Sequence, residues 1–228
     1  MVFVMKRNID TNIVEIIGKV NSELEFSHEM YGEGFYNFFI EIPRLSNSVD
    51  ILPVTISERL IVDMDLSTGT YIQIFGQLRS YNRYIENSSK LVLTVFARDI
   101  TLLQDKEEIR ELLKSPNEIF LDGYICKPPI YRTTPLGREI SDLLVAVNRA
   151  YNKSDYIPCI AWGRNARFCE KLLVGDHVRL WGRIQSREYQ KKHNNGEIET
   201  KVAYEVSISK LEYIENDNNR LSLCEEEA

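Results

Sequence analysis

Most of what an enzyme, a membrane protein or a disulfide scaffold requires is scarce in this chain of 228 residues. No uninterrupted apolar stretch approaches the ~18 residues of a membrane-spanning helix. The opening MVFVMKRNID lacks the ordered basic, apolar and small-residue regions of a secretory leader. Both absences predict a soluble, cytoplasmic protein. The four cysteines, Cys126, Cys159, Cys169 and Cys224, form neither close C-x-x-C pairs nor a dense framework, so they read as ordinary thiols. With 7 prolines, 11 glycines and 27% charged residues, collagen-like, low-complexity and wholly disordered chains are excluded. No Walker-type phosphate loop, G-x-G-x-x-G, G-x-S-x-G or H-E-x-x-H is present. The histidines His28, His177 and His193 stand far apart, and Asp63 with Asp65 reads as a polar helix end, not a metal pair. An enzyme is disfavoured, and neither a cofactor nor a metal is expected.

What is present is core-forming material, 43% hydrophobic and 10% aromatic, with a formal charge of −6 that is unevenly spread. Residues 127–192 carry 13 basic and 6 acidic side chains, so the acidic total hides a segment of +7. Local fields of this kind steer a polyanion more than the sum does.

An internal repeat organises the chain. VEIIGKV at 14–20 is echoed by IFLDGYI at 119–125, an offset of 105 that places Gly18 over Gly123. The same offset matches Arg44 with Arg149, Asn47 with Asn152, Asp50 with Asp155 and Pro53 with Pro158. GTYIQIFGQLRS at 69–80 lies over GDHVRLWGRIQS at 175–186, and LTVFARDI at 93–100 over YEVSISKL at 204–211. The extra residues fall near Asn195-Gly196, as expected of a loop tip.

Each unit reads as short strands with one helical interruption. In the second, IFLDGYIC, ISDLLVAVN, YIPCIAW, HVRLWGRIQSREY and TKVAYEVSISKLE alternate β-branched and aromatic residues between Pro, Gly and Asn turn signals. NARFCEKLLVGD places Phe168, Leu172 and Leu173 on one face of a short helix closed by Gly175. Five strands with a helix between the third and fourth is the plan of a Greek-key barrel, the OB-fold. The expected class is therefore all-β: one barrel over 1–104, a linker helix over 105–116 with Ile109, Leu112 and Leu113 on one face, a second barrel over 117–214, and a polar acidic tail over 215–228.

The second unit interleaves cations with aromatics. A period of two puts Tyr156, Pro158, Ile160 and Trp162 on the outer face of YIPCIAW, with Ile157, Cys159 and Ala161 inward. The same alternation groups Arg183, Gln185, Arg187 and Tyr189, with Ile184 inward. Ring faces stack bases at ~1–3 kcal/mol each and guanidinium groups meet phosphates, which is what a flexible single strand requires. Trp181 and Tyr204 read as structural. Lys191 and Lys192, beside Asn195-Gly196, suit a basic hairpin that wraps a strand. Arg138, Arg149, Lys153 and Arg164 complete the cationic set.

At these residues the chain resembles the bacterial-type single-stranded DNA-binding proteins, most clearly in GREISDLLVAVNRAYNKSDYIPCIAWGRNARF followed by GDHVRLWGRIQSREYQKK. The resemblance spans roughly both units and implies OB-folds that wrap single-stranded DNA on aromatics matching Tyr156, Trp162 and Tyr189. It also implies a tandem-domain member, in which a homodimer supplies four folds, and roles in DNA replication, recombination or repair at the nucleoid. The first unit departs: Ile51 and Ser57 occupy the third-strand aromatic positions and Arg83 with Tyr84 the fourth-strand end, leaving Arg44, Arg79, Tyr81 and Tyr84 as its candidate contacts. The tail CEEEA lacks the Pro and Phe of the family's usual partner-recruiting tip, so recruitment of replication or repair proteins by that route is in doubt. Two other readings stay open, a primosome-like adaptor whose OB-folds bind proteins and a single-stranded RNA binder.

Overall fold

The computed structural model of the chain describes residues 11–215, apart from 47, 86–87, 193–195 and 197. Alternation of β-branched and aromatic residues produces strands almost throughout. The first half contains β1 (Asn12–Val20), β2 (Glu25–Met30), β3 (Glu33–Pro43), β4 (Val49–Ser57), β5 (Tyr71–Ile85) and β6 (Ser88–Leu103). Helix α1 (Lys106–Leu112) leads to β7 (Asn117–Ile125), β8 (Ile130–Thr133), β9 (Glu139–Asn148), β10 (Ser154–Trp162), α2 (Arg164–Cys169), β11 (His177–Lys192) and β12 (Ile198–Ile214).

The pairings close on themselves twice. β1 pairs with β3 and β5, β3 with β4, β4 with β6 and β6 with β5, forming a ring of five strands. β7, β9, β10, β12 and β11 form the second ring. Each ring closes through one short parallel contact, Val54 opposite Val95 and Cys159 opposite Val206. These are the two five-stranded barrels expected, with an edge strand, β2 or β8, added to each. Closing a barrel makes β1 and β7 switch partners midway. At the switch a carbonyl of the returning strand presses on Gly18 and Gly123. A Cβ at Gly123 would lie 2.5 Å from the Ala146 carbonyl oxygen, so the residue that best marks the repeat is glycine for steric reasons.

The short helix expected between the third and fourth barrel strands is present in both units, but only the second has an α-helix there. The first has a single 3-10 turn, Glu58–Leu60, whose Ser57 cap accepts the Arg59 N–H and none of whose residues is buried. Ile61 and Val62 follow at once, and β-branched residues disfavour continuing the turn. The buried face of α2 also differs from the expected one: Ala166, Cys169 and Leu172 enter the core, while Phe168 and Leu173 are exposed. Cys126, Cys159 and Cys169 are free thiols, and burial raises all three, Cys169 to about 12. Cys224, His193 and the tail beyond 215 lie outside the described residues. β12 runs as far as Ile214.

The halves join through backbone and buried charge. Asp105 caps α1 by accepting the N–H groups of Glu107 and Glu108, and the chain returns so that β7 runs antiparallel along β1. Val14 faces Ile119, and their separation of 105 equals the repeat offset, so the two barrels are related by a pseudo-twofold through this pair. On each side of the axis an aspartate is sealed in. Asp50, 1% exposed, binds Arg44 of its own half and, from the other half, Arg183 at 2.9 Å and the Ser186 N–H at 2.8 Å. Asp155, fully buried, binds Arg149 of its own half and, from the other, Arg79 at 3.0 Å and the Ser80 N–H at 2.6 Å. Arg44 and Arg149 each also donate to the carbonyl of the facing serine.

Gly123→Ala should cost about 1–3 kcal/mol, read as a lower urea midpoint, because the added methyl has no room. Asp50→Ala leaves Arg44 and Arg183 facing each other in a sealed junction. It should cost about 3–5 kcal/mol by the same measurement, against less than 1 kcal/mol for an alanine at the exposed Lys153.

Candidate nucleic-acid interface

The outer face of the second barrel is built by strand parity. Along β10, Ile157, Cys159 and Ala161 fill the core while Tyr156 (47% exposed) and Trp162 (39%) face out. Pro158 lies between them, half-buried, and Ile160, expected outward, is buried between β9 and β12. Six residues at ~3.3 Å each place Tyr156 and Trp162 about 20 Å apart, room for several bases between them. The Trp162 indole N–H donates to Ser207 Oγ at 3.3 Å, fixing one edge of the ring against β12. The Tyr156 backbone N–H donates to Ser80 Oγ at 2.7 Å, which ties this end of the wall to the first half.

β11 carries the third aromatic. Tyr189 is 38% exposed and shares a cleft of about 290 Å³ with Pro158, Ala203 and Glu205, and with Lys90 to Leu93 of β6. Arg187 lies over its ring, 5.9 Å from the centroid. Sequence reasoning missed the acid in this wall. Glu205, nearly buried, accepts from Gln185 Nε2 at 2.7 Å and lies 3.4 Å from Arg187 Nε. The parity that spaces Arg183, Gln185, Arg187 and Tyr189 holds, but Gln185 is buried against that carboxylate.

The candidate cations divide. Arg138, Lys153, Arg164, Arg187 and Lys191 are exposed on the second half, and Lys192 ends β11. Arg44, Arg79, Arg149 and Arg183 are instead the four arginines of the junction, half-buried on Asp50 and Asp155. Hydrogen bonding to Asp50 holds Arg44 above its ordinary pKa, whereas burial holds Arg79 below its own despite the bond to Asp155. A sequence signal for this role existed: each half has an arginine six residues before its aspartate, 44 to 50 and 149 to 155. In the first half Tyr81 (50% exposed) and Tyr84 (81%) face out on β5, while Tyr84 lies toward the β5–β6 tip.

Other polar groups serve the fold. His177 and Arg179 both bind Asp122, at 2.5 and 2.8 Å; burial would raise this carboxyl, but those two bonds outweigh it and hold it below its ordinary value. Asp65 accepts the Ser67 N–H in a turn, and among the described residues no three His, Cys, Asp or Glu converge as metal ligands. Trp181 packs on Phe120 with Lys210 over its ring, and Tyr204 is half-buried against the core. Among the described residues no helix is long and apolar enough to cross a membrane.

Comparison with known proteins places this geometry. Residues 116–214 match the Single-strand binding protein family. Single-stranded DNA-binding protein B of Bacillus subtilis is 32% identical over 84 residues, 32% of this chain and 72% of that protein. The wild-type single-stranded DNA binding protein of Thermus aquaticus superposes with a TM-score of 0.67 at 20% identity, covering 90% of this chain and 93% of that one, and so shares the tandem fold. The dimeric N-terminal domain of PriB protein from Thermoanaerobacter tencongensis is 56% identical over 41% of this chain and 98% of that one, with a TM-score of 0.37. The chain spans 63% of the length of other curated relatives. With its second barrel matched from end to end and its two-barrel fold shared, the chain belongs to the single-strand binding protein family.

Proposed function

We propose that the protein binds single-stranded DNA with little sequence preference and serves DNA replication, recombination or repair in the cytoplasm, with the second barrel as its principal platform. The observation that carries this reading is the outward pair Tyr156 and Trp162 on β10, flanked by Tyr189 and by exposed Arg164, Arg187, Lys153 and Lys191. Aromatic faces take bases of any identity, and the cations meet the phosphates between them. The names of the relatives point the same way. No step of chemistry is required, only reversible stacking and counterion release.

A homodimer, giving four barrels, is part of this proposal, and what supports it is the face opposite the cores of β1, β7 and β11. Ile13 and Phe75 are exposed there beside Phe120 and Trp181, an apolar patch continuous across the junction. A second copy related by twofold symmetry would cover it. Sedimentation should give twice the 26.6 kDa chain mass, and Trp181→Glu should return it to one chain.

Fluorescence titration with a ~35-nucleotide thymidine strand, its duplex and its RNA counterpart tests the binding reading. Quenching by the single strand and not by the duplex is expected, with log affinity falling against log salt by about 0.7 per neutralised phosphate. Trp162→Ala should lose about 1–3 kcal/mol of binding, followed by a labelled strand because the probe is removed. An unchanged affinity in a folded Trp162→Ala protein would refute the assigned face.

A further inference from the structure

The first barrel has lost the strand aromatics of the second, yet the pairing registers place aromatics immediately beside the vacated positions. Ser57 stands where Trp162 stands in the second barrel, and its partner across the sheet is Phe35 where Trp162 faces Ile140. The parallel contact sets Thr55 beside Phe96 where Ile160 lies beside Ser207, the residue that holds the Trp162 indole. Phe35 and Phe96 meet with ring centroids 5.8 Å apart, and His28 stacks on Phe35 at 4.9 Å and 9°. The aromatic surface has moved to the neighbouring strands.

These rings border a groove of about 580 Å³. Its far wall is β5, with Tyr81 half exposed and Ser80 and Arg79 beside it, and the edge strand β2 supplies exposed His28 and Met30. Asn37, Thr55 and Thr94 also line it, and no lining residue is acidic. In the second barrel the corresponding row is Asp142, Ile160 and Glu205, both acids held in ion pairs. The Thr55 hydroxyl donates to Asn37 Oδ1 at 2.8 Å and lies 2.9 Å from Thr94 Oγ1. With Oδ1 so engaged, what the Asn37 amide has left to offer a ligand is its N–H donors.

We propose that this groove is a nucleobase pocket of the first barrel, taking a base of the same single strand against His28, Phe96 and Tyr81, with the buried Phe35 backing His28, and donating from Asn37 to a base carbonyl. It rests on the reading of the protein as a single-strand binder and adds what that reading does not contain: a second site with a preference for bases bearing a ring carbonyl. Thymine, cytosine and guanine carry one. Adenine does not. Arg79 and Arg149 also line the groove, both held there on Asp155.

Photocrosslinking of the whole chain to a ~35-nucleotide thymidine strand carrying 5-iodouracil, with peptide mapping, should join the strand to His28, Tyr81 or Phe96 as well as to the second barrel. The ratio of thymidine-strand to deoxyadenosine-strand affinity should fall roughly threefold to tenfold in Asn37→Ala, while Trp162→Ala weakens both strands and leaves the ratio. Because the self-stacking of the deoxyadenosine strand is common to all variants, the change in ratio isolates the pocket. Should Asn37→Ala fail to fold, Asn37→Asp keeps the size, replaces the donor by an acceptor, and should lower the ratio further. Crosslinks confined to the second barrel, or a ratio unchanged in the folded Asn37 variant, would overturn the pocket and leave the second barrel's role intact. Failure of the unaltered chain to bind either strand would overturn the reading beneath both.

Discussion

Two buried aspartates hold the molecule together as one body. A carboxylate without water is tolerated only where cations and N–H groups surround it, and Asp50 and Asp155 each obtain part of that surround from the opposite half. Neither site is complete in one barrel alone. Along the pseudo-twofold the β1–β7 ladder adds backbone bonds, and Asn12 and Asn117 extend β5 and β11 by bonding the backbone of Leu78 and Ile184 with their side-chain amides. The arrangement is that of a symmetric dimer interface made within one chain, each half contributing the same elements to the other.

That junction also sets the exposed surface. The serines whose N–H groups donate to the opposite half's aspartate accept with their hydroxyls from the strand that carries the outer wall: Ser80 from the Tyr156 N–H and Ser186 from the Ile51 N–H. The position of Tyr156 is therefore coupled to the closure of the two halves. The junction removes four arginines from the pool available to a phosphate backbone, so the basic segment is less basic at the surface than its sequence suggests. Of the exposed candidate cations, Lys153 and Arg164 flank β10, and Arg187 and Lys191 lie on the outer part of β11.

Duplication freed the two outer faces to diverge. In the second barrel the large rings sit on β10 and β11, with Asp142 and Glu205 between them neutralised by Arg132 and Arg187. In the first they sit on β3 and β6, over a neutral hydroxyl and amide row. Both barrels keep the same closing glycines, the same bulge where β5 meets β6 and β11 meets β12, and the same buried pattern, because ring closure tolerates little change. The outer faces carry no such constraint.

The sequence by itself determined the all-β class, the repeat and its offset of 105, and the outward parity of Tyr156, Trp162 and Tyr189, since period-two alternation and steric glycines are local properties of the chain. It also determined the linker helix, through the Asp105 cap and the Ile109, Leu112 and Leu113 face. Only the tertiary structure decided which charges are free. Arg44 and Arg183 look alike in sequence to Arg138 and Arg164, and what separates them is Asp50, lying 133 residues from Arg183 along the chain. The same holds for the groove of the first barrel: Phe35, Phe96, His28 and Tyr81 come from four strands, and nothing in their spacing announces that ring closure sets them around one opening.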